Sequence, residues 1–173
     1  MGPHGGSRLP PAASLASPRS LCPKRRSTDW PVRSDAPTIV DFQCRLALET
    51  EELKLLPQTV LRGVRAVFED PAKGAYWVAE LDGRLVGCLL TIREWSDWRA
   101  RDVWWIHSVY VRPEQRRAGI YRALYASLKE RVEKSDALGG LRLYVDQRNA
   151  RACAAYEKLG MTRDHYYLYE WLK

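Results

Sequence analysis

Between Val109 and Tyr121 the chain runs Val-Tyr-Val-Arg-Pro-Glu-Gln-Arg-Arg-Ala-Gly-Ile-Tyr, an order of residue types suited to holding an anion. A β-branched run ends at Pro113, a basic turn follows, and Gly119 opens a segment with helical periodicity. Where a strand turns into a helix, the first helical N–H groups lack partners. The positive end of the helix dipole faces the same spot. Gly119 lets the backbone approach a bound group that a Cβ would hold off. Arg116 and Arg117 add positive charge. Without an anion, the same residues make a basic surface turn before a helix.

Other reactive side chains lie on either side of this turn. Asn149 follows an apolar run (Leu141, Leu143, Val145) and suits a helix N-cap, and Gly160 suits the other end of that helix. Tyr156 stands about two turns beyond Asn149 and projects from the same face. It is either a proton donor or a half-buried aromatic with its hydroxyl in water. In the strand before the turn, alternation puts Trp105, His107, Val109 and Val111 on one face. Trp104, Ile106, Ser108 and Tyr110 fall on the other. His107 titrates near neutral pH, which suits a general base, although a buried, neutral, hydrogen-bonded histidine fits equally. Glu94 and Asp97 either hold a cation or are solvated loop charges. Trp95, Trp98, Trp104 and Trp105 either form an aromatic wall for an ammonium group or pack in the core. His4 and His165 form no triad with a Ser or Cys, and there is no Gly-x-Ser-x-Gly elbow, Walker loop or metal-ligand cluster.

Periodicity supplies the elements that position these residues. Thr38 to Gln43 is expected as a first strand, and Leu46–Leu56 and Gln58–Glu69 as helices separated by Pro57. Ala75–Leu81 and Leu85–Arg93 are strands joined at Asp82-Gly83, a hairpin signal. A loop or hairpin tip over Glu94–Asp102 leads to a strand over Val103–Val111. Gly119–Lys134 is a helix with Ile120, Leu124, Leu128 and Val132 in one stripe. Leu141–Val145 is a strand, Asn149–Leu159 a helix, and Tyr166–Trp171 the last strand. A hairpin meander followed by alternating helices and strands predicts a mixed α/β fold, with a mostly antiparallel central sheet flanked by helices. No internal repeat is present.

Composition limits the alternatives. The chain has 173 residues and a net charge of +7. Residues 1–36 carry six basic and two acidic residues, and the other 137 carry 22 and 19, so more than half of the excess lies in the first segment. Seven of the ten prolines also fall between Pro3 and Pro37. Such a segment buries too little apolar surface to offset its ordering entropy. It is expected to be a disordered extension over 1–36, with one folded domain over 37–173. It has no apolar h-region for secretion. Its Arg- and Ser-rich composition is weakly like a transit peptide, but its prolines oppose the amphipathic helix such peptides need. A nucleic-acid binder would concentrate its charge on a folded surface, so no nucleic-acid partner is expected. No apolar run approaches the roughly 18 residues of a spanning helix, so no membrane partner is expected either. Cys22, Cys44, Cys88 and Cys153 show no zinc or redox spacing, and Cys153 suits helix packing. A reducing, cytoplasmic setting fits.

The order Val-x-Pro-Glu-x-Arg-x-x-Gly-Ile resembles the acyl-coenzyme A loop of GNAT superfamily N-acetyltransferases, which runs Gln/Arg-x-x-Gly-x-Gly/Ala. Arg116, Arg117, Ala118, Gly119, Ile120 and Tyr121 fill its six places. Tyr121 departs from the pattern, and its ring either narrows the loop or turns away. Asn149 to Met161 resembles a later element of the same family, Asn-x-x-Ala-x-x-x-Tyr-x-x-x-Gly-Phe, with Met161 in place of Phe. The resemblance covers about residues 38–173. It implies the GNAT-like fold and acetyl transfer from acetyl-coenzyme A, as co-substrate, to a primary amine of a small molecule or peptide, without a metal. It places the loop on the cofactor's diphosphate and Asn149 beside the pantetheine arm. It assigns the backbone of Val109 and Val111 to that arm, with an N–H there for the acyl oxygen. It also sets Tyr156 near the sulfur as the acid; His107, by its titration range and its place two residues before Val109, is one candidate base. A monomer or a homodimer is compatible. A coenzyme A-binding module without turnover and a basic nucleic-acid-binding domain remain as other classes.

Overall fold

The computed structural model describes residues 32–163 and 167–171. Prolines set the first two helices. Helix α1 (Ala36–Glu51) carries Pro37 in its first turn, where a missing N–H costs nothing. It ends at Glu52, whose left-handed backbone (φ 55°) sends its N–H to the Ala47 carbonyl. Pro57 begins α2 (Pro57–Glu69), and Asp70 turns extended before Pro71. The strand expected at Thr38–Gln43 is therefore a helix. Ala36, Ile39 and Val40 have helical spacing and are buried together with Val64 and Tyr76. Phe42 is buried against Tyr110, with ring centroids 4.9 Å apart. β-branched residues favour strands, but here helical packing of this stripe outweighs that preference.

Four strands follow: β1 (Ala75–Leu81), β2 (Arg84–Ser96), β3 (Arg101–Val111) and β4 (Leu138–Arg142). They lie in that order in one sheet, antiparallel from β1 to β3 and parallel between β3 and β4. Asp82 and Gly83 turn the first hairpin with φ of 49° and 76°, the combination a tight hairpin prefers. Of the two readings of 94–102, the hairpin tip holds, and β2 and β3 extend into the tract so that the tip is only 97–100. Helix α3 (Ile120–Glu133) crosses over from β3 to β4, and α4 (Ala150–Lys158) follows β4. Ile120, Leu124, Tyr125 and Leu128 of α3 cover one face of the sheet with Val86, Leu89 and Ile106, while α1 and α2 cover the other.

The expected strand over Leu141–Val145 begins three residues earlier and ends at Arg142. Gly139 and Gly140 discourage a strand on propensity, yet Gly140 pairs with Val103. Of the expected last strand, Tyr166 lies outside the described residues and 167–171 take no regular element. Tyr167, Tyr169 and Trp171 are exposed. Their alternation supplies propensity, but these residues pair with no described strand. Residues 1–31 of the expected extension lie outside the description, whereas Asp35 and Ala36 are buried at the start of α1.

Gly87 lies where β2 packs tightly against the end of β3 and the first residue of α3. A Cβ there would lie 2.9 Å from the Tyr110 carbonyl oxygen and 3.2 Å from an Ile120 methyl. Gly87→Ala is expected to destabilise the protein by about 1–3 kcal/mol, measured by denaturant titration; an unchanged midpoint would mean the backbone accommodates the methyl.

Candidate active site

Two left-handed residues shape the turn between β3 and α3. Arg117 has φ 68° and Gly119, the N-cap of α3, has φ 81°. The loop N–H groups of Arg116 and Ala118 bond back to Pro113 and Gln115. Those of Arg117, Gly119, Ile120, Tyr121 and Arg122 find no acceptor among the described residues. Open space surrounds Gly119, with no atom within 4 Å of a would-be Cβ. Five free donors at a helix N-terminus form an array suited to an anion.

The two arginines behave differently. Arg117 is exposed. Arg116 turns inward: its Nε donates to the Val111 carbonyl at 2.9 Å, and its guanidinium pairs with Glu49 of α1. It also lies over the Tyr110 ring, 5.8 Å from the centroid. Arg116 thus braces the turn, contrary to the expectation of a side chain free for the anion. Glu49, 67 residues away in sequence, gives no sequence signal for this pairing.

The face assignment from strand alternation needs correction. Tyr110 pairs with Cys88 and His107 with Leu90, so Ser108 and Val109 together oppose Leu89. This is a β-bulge, and Ser108 takes φ 50° to form it. Beyond the bulge the faces exchange. Val109 and Val111 join Trp104 and Ile106 toward α3. Trp105, His107 and Tyr110 face the α1 side, Tyr110 in the cluster with Phe42 and His107 opposite Leu90. A serine carries none of the glycine signal that usually betrays a bulge.

The ladder between β3 and β4 ends at Trp105 and Arg142. β3 continues to Val111, held by β2 alone among the described residues, so its other edge is open over 106–111. Side chains bridge the start of this gap. The Tyr144 hydroxyl lies 3.1 Å from His107 Nδ1, with the rings edge-on at 5.1 Å. Behind them Glu94 accepts from Trp105 Nε1 and from Arg142 Nη1, the latter at 2.8 Å, and Arg142 lies over the Trp105 ring. Glu94 is thereby occupied within the protein. Asp97 accepts from the Trp98 N–H at an exposed tip. The four tryptophans form no single wall: Trp95 and Trp98 are exposed, Trp104 packs on Trp77, and Trp105 faces Tyr144. Burial lowers the His107 pKa from its ordinary value. Sequence pattern does not single out Tyr144, because an aromatic after a short strand has many roles.

α4 meets the start of α3 through an aromatic pair. Asn149 caps α4, accepting from the Ala152 N–H at 3.0 Å. Tyr156 meets the first turn of α3 through Tyr121, ring centroids 5.6 Å apart and edge-on. Tyr121 packs into the α3-side core, its hydroxyl buried without a partner among the described residues. Of the two outcomes open to its ring, the structure adopts the one turned away from the loop. The Tyr156 hydroxyl makes no hydrogen bond among the described residues. Burial, then Cys153, raises its pKa, which keeps the phenol protonated at neutral pH. Two clefts of about 310 and 340 Å³ lie elsewhere, between α1 and α2 near Arg33 and Arg65, and no expected site residue lines them.

A sheet parted beside a crossover helix, with free N–H groups at the start of that helix, sets an anion site next to an open strand edge. Residues 41–161 match the acetyltransferase (GNAT) family. The chain belongs to this family. A solved structure of a possible acetyltransferase from Clostridium difficile 630 is 37% identical, superimposes with a TM-score of 0.79, and matches over 84% of this chain and 95% of its own. An acetyltransferase from Trypanosoma brucei (24% identity, TM-score 0.62) matches over 83% of this chain and 97% of its own. A ribosomal-protein-alanine N-acetyltransferase from Brucella melitensis biovar Abortus 2308 (18%, 0.66) matches over 81% and 94%. The last two resemble this chain in fold alone. No curated protein matches the sequence. No described helix is long and apolar enough to cross a membrane.

The contrast between the two arginines is measurable. Arg116→Ala is expected to cost about 1–2 kcal/mol of stability, whereas Arg117→Ala leaves the denaturant midpoint unchanged; equal effects would refute the bracing role.

Proposed function

We propose that this protein is an N-acetyltransferase that moves an acetyl group from acetyl-coenzyme A to a primary amine by direct attack in a ternary complex. The observation that carries this reading is the juxtaposition of the free donor array at residues 117–122 with Tyr156, through the Tyr121 contact. The co-substrate supplies an activated acyl thioester. Arg117, Gly119, Ile120, Tyr121 and Arg122 would hold its diphosphate mainly through backbone N–H groups, with Arg116 keeping the turn in shape. The open edge of β3 at Val109 and Val111 would take the amide-bearing arm as an added strand, and Asn149 lies at the start of the helix that borders it. Arg116 already occupies one lone pair of the Val111 carbonyl, which leaves the second available.

The residues of this chain then handle protons. An ammonium ion has no lone pair, so the acceptor must lose a proton, and His107 Nε2 is a candidate to take it. Its lowered pKa keeps the ring neutral around pH 7. Tyr156 Oη, protonated and without a hydrogen-bond partner among the described residues, would donate to the departing thiolate. A strand N–H near the bulge would meet the acyl oxygen. The acceptor in this reading is an amine-bearing small molecule or peptide. For a coenzyme A-binding module without turnover, the bulk of Tyr121 is the chief support, and its ring packs inward.

Turnover of acetyl-coenzyme A, followed as thiol release against small amines, polyamines and peptides, tests the reading. At least one acceptor is expected to stimulate release, and Tyr156→Phe should lower kcat roughly 100-fold while coenzyme A still binds. Wild-type kcat in that variant would remove Tyr156 as the acid.

A further inference from the structure

The parallel register of β3 and β4 runs from Asp102 and Leu138 to Trp105 and Arg142. Two residues beyond its last pair stand His107 and Tyr144, the next same-side positions on each chain. Backbone pairing has ceased there, yet the two side chains still meet, Tyr144 Oη 3.1 Å from His107 Nδ1. The contact spans the mouth of the opening between the strands. Tyr144 is itself 53% exposed, so its hydroxyl hydrogen has water to bond. His107 is only partly buried, and its Nε2 has no partner among the described residues.

A neutral imidazole carries one proton on one of two nitrogens, and the neighbour of one nitrogen decides what the other can do. For His107 to take a proton at Nε2, Nδ1 must hold the ring proton and face an acceptor. Among the described residues, the hydrogen-bonding side chain at Nδ1 is Tyr144. We propose that Tyr144 is a positioning residue: its oxygen accepts the His107 Nδ1–H, holds the ring across the strand opening, and leaves the Nε2 lone pair for the acceptor amine. The inference rests on the transferase reading above. In the step it serves, the amine N–H bond breaks and an Nε2–H bond forms. The resulting imidazolium keeps its Nδ1–H bond to Tyr144, and its added proton passes to solvent after release.

The charged groups nearest along the strands, Glu94 of β2 and Arg142 of β4, are paired with each other. Burial is the cause of the His107 shift, and neither charge contributes. Leu90, its partner on β2, is apolar. The titration of His107 therefore reports on its burial, and Tyr144 faces its Nδ1.

Tyr144→Phe removes only an exposed hydroxyl, so the melting temperature should stay close to wild type. With the best acceptor from the amine screen, kcat should fall about tenfold or more, with KM for acetyl-coenzyme A unchanged. The acid limb should move to lower pH, because the imidazolium loses an acceptor for its Nδ1–H and the charged form becomes less favourable. Nitrogen-15 NMR of the histidine rings, with the His107 signal assigned by its loss in His107→Gln, reads the tautomer without any turnover. A protonated Nδ1 in wild type, redistributed in Tyr144→Phe, supports the proposal. A proton on Nε2 in wild type, meaning that the tyrosine donates instead, overturns it. So does a variant with wild-type kcat and pH profile while the wild-type enzyme turns over. Absence of turnover in the wild type with every acceptor would instead count against the transferase reading, and the tautomer alone would then decide the role of Tyr144.

Discussion

The β3–β4 ladder stops at Trp105 and Arg142, and the rest of the site is arranged around that stop. β3 cannot follow β4 further, because it remains bonded to β2 as far as Val111, opposite Gly87. Its other edge therefore presents backbone donors and acceptors over 106–111 without a partner strand among the described residues. Buried backbone groups must be satisfied, and an open edge is a template for an added extended chain. The bulge at Ser108 and Val109 sharpens the effect. It holds a serine in a backbone region that costs of order 1–3 kcal/mol, and rotates the end of the strand so that its valines pack under α3. The same twist leaves His107 on the opposite face. One strand thus has the helix terminus on one side and the titrating histidine on the other.

Charge plays a smaller part in this site than the basic sequence suggests. Arg116 is held by Glu49, the Val111 carbonyl and the Tyr110 ring, and its work is mechanical. Arg142 and Glu94 neutralise each other beside Trp105. Apart from the exposed Arg117, the groups left uncommitted are neutral dipoles and polar atoms: the N–H groups of Arg117 and of residues 119–122, the Tyr156 hydroxyl and His107 Nε2. Fixed dipoles in a partly dry site need no rearrangement when charge develops, which is the condition favouring acyl transfer.

The α3 turn and α4 are legible from local signals. Gly119 marks the helix start, Asn149 the N-cap and Gly160 the helix end, and each depends on residues within a few positions. The hairpin at Asp82-Gly83 is legible for the same reason. What local pattern misses depends on distant partners. Ile39, Val40 and Phe42 suit a strand by type, and only burial against α2 and Tyr110 makes them helical. Strict alternation along β3 fails at Ser108, because the bulge is set by pairing with Leu89 across the sheet. Glu49 and Tyr144 matter through contacts 67 and 37 residues away in sequence, and no motif joins them to their partners.

Backbone amide NMR during titration with coenzyme A, and separately with pantetheine, which lacks the diphosphate, addresses the central interaction. Coenzyme A is expected to shift the amides of Arg117, Gly119, Ile120, Tyr121 and Arg122 strongly, while pantetheine moves those of Val109 and Val111 but leaves the turn nearly still. Binding of coenzyme A with the amides of residues 117–122 unmoved would contradict the role assigned to the start of α3.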